Sequence, residues 1–139
     1  PTHDKRRTTN QERRTKHQEP RTKNHEPSGL LEWFLSNRGG RVKGFANAIY
    51  TGFTTFEMAR IIERVLLEHR ELHGIWQVSS NPISKYELLS MANDRLDLGI
   101  TIDRDESFHC DRSLDSSRFR EVTGYAPPSW QQMIAELER

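Results

Sequence analysis

The sequence predicts an α/β fold, rich in helix and with short strands, preceded by a disordered polar arm. Three observations predict it. The first 28 residues hold 8 Lys/Arg, 4 Asp/Glu and 3 His and no Ala, Val, Ile, Leu, Met, Phe, Trp, Tyr or Cys, so every apolar residue falls after them. Helix-initiating pairs, Ser or Thr with Glu or Gln three residues on, recur at Thr54–Glu57, Ser84–Glu87 and Ser129–Gln132. Between those pairs the apolar spacing switches between the helical 3–4 step and short β-rich runs, the pattern of a mixed α/β unit.

The arm, residues 1–28, carries a formal charge of +4. It has no apolar surface to bury against an ordering cost of about 1–2 kcal/mol per residue, which predicts disorder. Its cations (Lys5, Arg6, Arg7, Arg13, Arg14, Lys16, Arg21, Lys23) suit an anionic surface. The acids are interspersed among them, however, and no aromatic is present to stack on a base. A solvated tail is expected, and nucleic acid is not the expected partner. Residues 29–139 form the second unit, about 41% apolar, with 13 Lys/Arg against 16 Asp/Glu.

Within that unit Ser28 can cap a helix over residues 30–37, which Gly39-Gly40 ends. Residues 41–45 read as a strand, followed by the loop ANAIYTG. The helix after Thr54 runs to about His69 with Met58, Ile61, Ile62, Val65 and Leu66 on one face. IWQVS (75–79) reads as a strand, Asn81-Pro82 as a turn, and the helix after Ser84 runs to Leu96, stopped by Gly99. Residues 100–103 read as a short edge strand. Asp115 or Ser116 caps a helix to Thr123 with Gly124 at its end, and Ser129 starts the last helix. Trp33, Trp76 and Trp130 are expected in the core.

Several function classes drop out. A chain of 139 residues is about one domain. No stretch approaches the roughly 18–20 apolar residues of a membrane span, and the N-terminus has charge but no apolar signal core. The lone Cys110 makes neither a disulfide framework nor a thiolate zinc site, so a reducing, cytoplasmic setting is expected. No Gly-x-Gly-x-x-Gly, P-loop or Gly-x-Ser-x-Gly is present. Tyr50, Tyr86 and Tyr125 each lack the Lys four residues on that a short-chain dehydrogenase uses. His69 and His73 have helical metal-ligand spacing without a third ligand, and His109 and Cys110 are adjacent, pointing to different sides of an extended chain. No metal site is expected. One constellation remains, DRSLDSSRFREVTGY, in which Arg112 and Asp115 precede a helix and Arg118 and Arg120 follow. An arginine fork suits a diphosphate and a carboxylate can accept from ribose hydroxyls.

GIWQVSSNPISKYELL (74–89) and DRSLDSSRFREVTGYAPPSWQQMIAEL (111–137), preceded by GLLEWFLSNRGGRVKGFANAIYTGFTTFEMARII (29–62), resemble the C-terminal, substrate-binding part of extended short-chain dehydrogenases. The likeness is to dTDP-4-dehydrorhamnose reductase-like proteins and NAD-dependent epimerase/dehydratases, and it spans the whole of 29–139. It implies a sugar-nucleotide substrate-binding subdomain lacking most of the Rossmann domain. Arg112 and Asp115 would then hold the nucleotide diphosphate and sugar, with Asn47, Tyr50 and Thr54 as secondary pocket residues. The resemblance implies NAD(P) for the full-length family. No cofactor-binding or catalytic residue carries over to this chain, which is expected to be inactive alone. A Rossmann domain in trans, or self-association, would cover an apolar patch formed by Trp33, Phe34, Phe53, Phe56 and several of Ile61, Ile62 and Val65. The alternative is a non-enzymatic binding module, using the basic arm on nucleic acid or the apolar face on a protein partner.

Overall fold

The computed structural model describes residues 29–138, in which helices and strands alternate as far as the third strand and two helices follow: α1 (Leu30–Leu35), β1 (Arg41–Tyr50), α2 (Thr55–Glu68), β2 (Ile83–Ser84), α3 (Lys85–Leu96), β3 (Thr101–Asp111), α4 (Ser117–Thr123) and α5 (Trp130–Ala135). The sheet order is β2-β1-β3, with β1 central, antiparallel to β2 and parallel to β3. The arm, and with it Ser28, lies outside the described residues. α1 is capped by Gly29, without a side-chain bond, and ends at Leu35 rather than Asn37.

α3 covers one face of the sheet. It can lie close because β1 presents Gly44 to it: a Cβ there would stand 2.6 Å from Ile102 Cγ2 and 2.8 Å from Tyr86 Cδ2. Leu89, Ala92 and Leu96 pack with Phe34, Val42, Leu98 and Ile100 in one buried cluster. Leu88 and Ile83 join Trp130, Met133 and Ile134 of α5 in a second. A third cluster, Ile61, Phe119 and Tyr125, joins α2 to α4.

Strand lengths differ most from the sequence reading. β1 runs through ANAIY to Tyr50, and β3 runs from Thr101 to Asp111 instead of ending at Asp103. Each strand supplies the other's ladder over eight registered pairs, so Ala and charged residues are carried in extended form by their partner. Charges fit because β3 is indeed an edge, and its outer face pairs Arg41 with Asp103 at 2.6 Å and Lys43 with Asp105 at 3.1 Å. Residues 75–79 are not a strand despite their composition. The segment finds no ladder, and the backbone bond beside it is Ser80 N–H to Thr51 O at 2.9 Å.

The caps at Ser84 and Ser129 are reciprocal boxes. The third is half a box. Thr54 accepts from Glu57 N–H, but the Glu57 carboxylate accepts instead from Arg60 and from the Tyr125 hydroxyl, and is buried there. The predicted α2 face is only partly used: Ile61 is buried, Val65 half-buried, and Met58, Ile62 and Leu66 are exposed. Of the expected apolar patch, Trp33 and Phe56 are exposed, Phe53 is half-buried, and Phe34 and Ile61 are core. Trp130 is buried as expected, while Trp33 is not. α1 is too short to bury both of its aromatic rings, and Phe34 takes the inward position.

Candidate functional site

β1 and β3 end side by side, with Ile49 in register with Asp111 on one flank and with Ser84 on the other. The carboxyl ends of parallel strands are where open α/β sheets leave a crevice for ligands. Here it is a cleft of about 490 Å³ whose lining includes Phe45, Tyr50, Lys85, Phe108, Cys110 and Arg112.

The chain leaving β3 is clamped over the end of β1. Arg112 N–H donates to Ile49 O at 3.1 Å, and Leu114 N–H to the buried Thr51 hydroxyl at 3.0 Å. Ser79 Oγ donates to Leu114 O at 2.9 Å from the other side. The backbone at Arg112 is therefore set by one backbone bond to β1 and, two residues on, by the Thr51 and Ser79 hydroxyls at Leu114.

The charge around Arg112 follows from a local repeat, Asp-x-Ser. Asp105, Asp111 and Asp115 each accept from the backbone N–H of the Ser two residues on, at 2.8, 2.9 and 2.9 Å. Short polar side chains favour such turns. The Ser113 bonds hold the Asp111 carboxyl below the usual range, and the Ser117 bonds do the same for Asp115. Both carboxylates that flank Arg112 in sequence are thus satisfied by serines. The Arg112 guanidinium has no hydrogen-bond or ion-pair partner among the described residues, and neither does the Lys85 ammonium. Two free cations border one largely apolar cleft.

The five pocket residues read from the sequence fall in different places. Tyr50 and Arg112 share the cleft. Tyr50 also borders a neighbouring cavity of about 540 Å³, lined in part by Thr54, whose hydroxyl caps α2. Asp115 lines a separate polar niche of about 190 Å³ with Ser79, Ser116 and Arg120. Asn47 donates to Glu106 O at 2.9 Å and meets His109 Nε2 at 3.2 Å, bridging the irregularity in the β1–β3 register. Arg118 lies over the Trp76 ring at 4.0 Å, and Arg120 donates to Ser116 Oγ and Ser79 O, so both are engaged in packing. Lys85, Phe45, Phe108 and Cys110 carry no local sequence signal; only the strand register brings them to the cleft.

No group of three or more His, Cys, Asp or Glu able to hold a metal occurs among the described residues, and none of their helices is long and apolar enough to cross a membrane. The dinucleotide that the resemblance implies does not fit the residues present. The glycine in the β1–α2 connection, Gly52, lies under the Tyr50 phenol, which fills the space a Cβ would take. The one glycine among the described residues that starts a helix, Gly29, caps the six-residue α1 and belongs to no Gly-x-Gly-x-x-Gly run.

No family model and no curated protein matches the chain. Among solved structures, it is similar to the structure of RMD from Pseudomonas aeruginosa complexed with NADPH, at 18% identity and a TM-score of 0.49. The match covers 68% of this chain and 33% of that one, so the chain spans about a third of that protein's length.

Proposed function

We propose that the chain is the sugar-nucleotide-binding part of a reductase or epimerase of the extended short-chain dehydrogenase kind, similar to dTDP-4-dehydrorhamnose reductases, and that it is inactive alone. One observation carries the proposal. The unpaired guanidinium of Arg112 shares with Tyr50 the lining of a cleft at the carboxyl ends of two parallel strands. A diphosphate would supply the missing anion, and the largely apolar remainder of the cleft would accept the rest of the ligand. Asp115, Asn47 and Thr54 are secondary contacts in this proposal. NAD(P) and the proton-transfer residues belong to a nucleotide domain, supplied in trans or within an assembly, in a cytoplasmic setting.

Calorimetry with a dTDP- or UDP-sugar tests the proposal. Saturable binding is expected, weakened about tenfold or more in Arg112→Ala, with no oxidation of NADPH by the chain and the sugar nucleotide together. Absence of binding overturns the pocket, and NADPH oxidation overturns inactivity. A second reading, a protein-binding module, is favoured by the exposed Phe56, Ile62, Leu66 and Leu67 of α2. Arm-driven binding of an oligonucleotide would instead show steep salt dependence.

A further inference from the structure

Lys85 is the first residue of α3, where the positive end of the helix dipole disfavours a cation. The one acid of that first turn, Glu87, is engaged in the capping box with Ser84, and the Lys85 ammonium has no ion-pair partner among the described residues. It lines the same cleft as Arg112, from the opposite flank of β1: Lys85 follows Ser84 and Arg112 follows Asp111, the two residues registered with Ile49. With about 4.8 Å between neighbouring strands, those two flanks are about 10 Å apart, so two long cationic side chains can converge on one diphosphate. On the same lining, Phe108 of β3 is 47% exposed and packs against Phe45 of β1, with ring centroids 5.0 Å apart. An exposed ring on a strand, backed by a second ring that fixes it, offers a flat apolar surface at little ordering cost.

We propose that Lys85 is a second anion-holding residue of the cleft and that the Phe45–Phe108 pair is the platform for the ligand's base, so the cleft holds a nucleoside diphosphate in one orientation. The proposal rests on the sugar-nucleotide reading above and deepens it. The diphosphate lies between Lys85 and Arg112, and the base lies on Phe108.

Cys110, the chain's lone cysteine, lines the cleft and reports on its occupancy. The test measures protection of Cys110 from a maleimide by UDP and by inorganic pyrophosphate, with calorimetry in parallel on the full chain. UDP is expected to protect at about 5- to 100-fold lower concentration than pyrophosphate, the range stacking of one base supplies. Phe108→Leu, which keeps apolar bulk, narrows that gap and leaves pyrophosphate unchanged. Lys85→Gln weakens both probes about equally, by about fivefold or more. An unchanged gap in Phe108→Leu, or unchanged affinities in Lys85→Gln, overturns the proposal while leaving an Arg112-dependent pocket standing. If neither probe protects Cys110 or binds by calorimetry, the sugar-nucleotide reading falls and this proposal with it.

Discussion

Helices α2 and α3 carry the same kind of sequence signal and are held by different forces. α3 has a reciprocal capping box and buries Leu88, Leu89, Ala92 and Leu96 against the sheet, α1 and α5. α2 is longer, has half a box, and buries one apolar residue, Ile61, together with one acid, Glu57. Beyond the small cluster of Ile61 with Phe119 and Tyr125, its attachments are polar. Tyr125 donates to Glu57 at 2.9 Å, Arg60 bridges Glu57 and Glu136, and Arg64 donates to Thr123 O. An apolar stripe establishes that a helix has a face, and leaves open what covers it.

The widest contrast in stability comes from one pair of leucines. Leu89 on α3 is 3% exposed and Leu66 on α2 is 61% exposed. Leu89→Ala is expected to cost about 2–5 kcal/mol through lost burial and the cavity left behind. Leu66→Ala should stay within about 0.5 kcal/mol of wild type. Urea unfolding at two protein concentrations measures both. A concentration-dependent loss of stability in Leu66→Ala would break the contrast, because it would mean that a second copy covers α2 in solution.

A smaller effect is expected where α2 is held by polar contacts. Tyr125 is buried, and burial first, then the hydrogen bond to Glu57, raises its phenol above the ordinary range, so it remains a donor through neutral and moderately basic pH. Tyr125→Phe removes a hydrogen bond to a charged acceptor and should cost about 1.5 kcal/mol. Amide exchange should rise in α2 more than in α3, since the lost bond anchors α2 alone. Equal acceleration in both helices would show that the two unfold as one unit.

Local signals made the helices legible and non-local ones hid the strands. Capping boxes are written within four residues, and the two complete boxes start helices where the sequence places them. TIDRDESFHCD has the composition of a loop. It becomes β3 because Arg41 and Lys43, some sixty residues earlier, neutralise Asp103 and Asp105 across the ladder. IWQVS has the composition of a strand and remains unpaired, since β propensity is expressed only where a partner edge is free. The site divides in the same way. Arg112 is conspicuous in sequence through its spacing to Asp115, yet that carboxylate is absorbed by Ser117 in an Asp-x-Ser turn, a pattern visible three times in the sequence. Lys85 and Phe108 come to one cleft from the two flanks of β1, so register alone finds them.

The smallest expected effect lies on β3, which α3 covers on one side only and whose outer side is held by charge. Asp105 accepts from the Ser107 hydroxyl and backbone and from Lys43, and these bonds pull its carboxyl down to about 2 from an ordinary 3.8. A folded-state value below the unfolded one means that the contribution is present in full above about pH 4. It is lost as pH falls from there toward 2. Ser107→Ala removes the hydroxyl, whose bond lowers the carboxyl most, and retains the backbone bond and Lys43. The carboxyl of Asp105 should then titrate at higher pH by carbon-detected NMR, and the acid limb of the thermal melting curve should begin at higher pH. Leu89→Ala should lower stability at every pH without moving that limb, because its contacts carry no titrating group. If Ser107→Ala leaves both the Asp105 titration and the acid limb unchanged, the outer side of β3 is not held by this turn. The side-chain attachments of the sheet edge would then reduce to the Asn47 bonds to Glu106 O and His109 and to the Arg41–Asp103 and Lys43–Asp105 pairs, whose cations are exposed and screened by solvent.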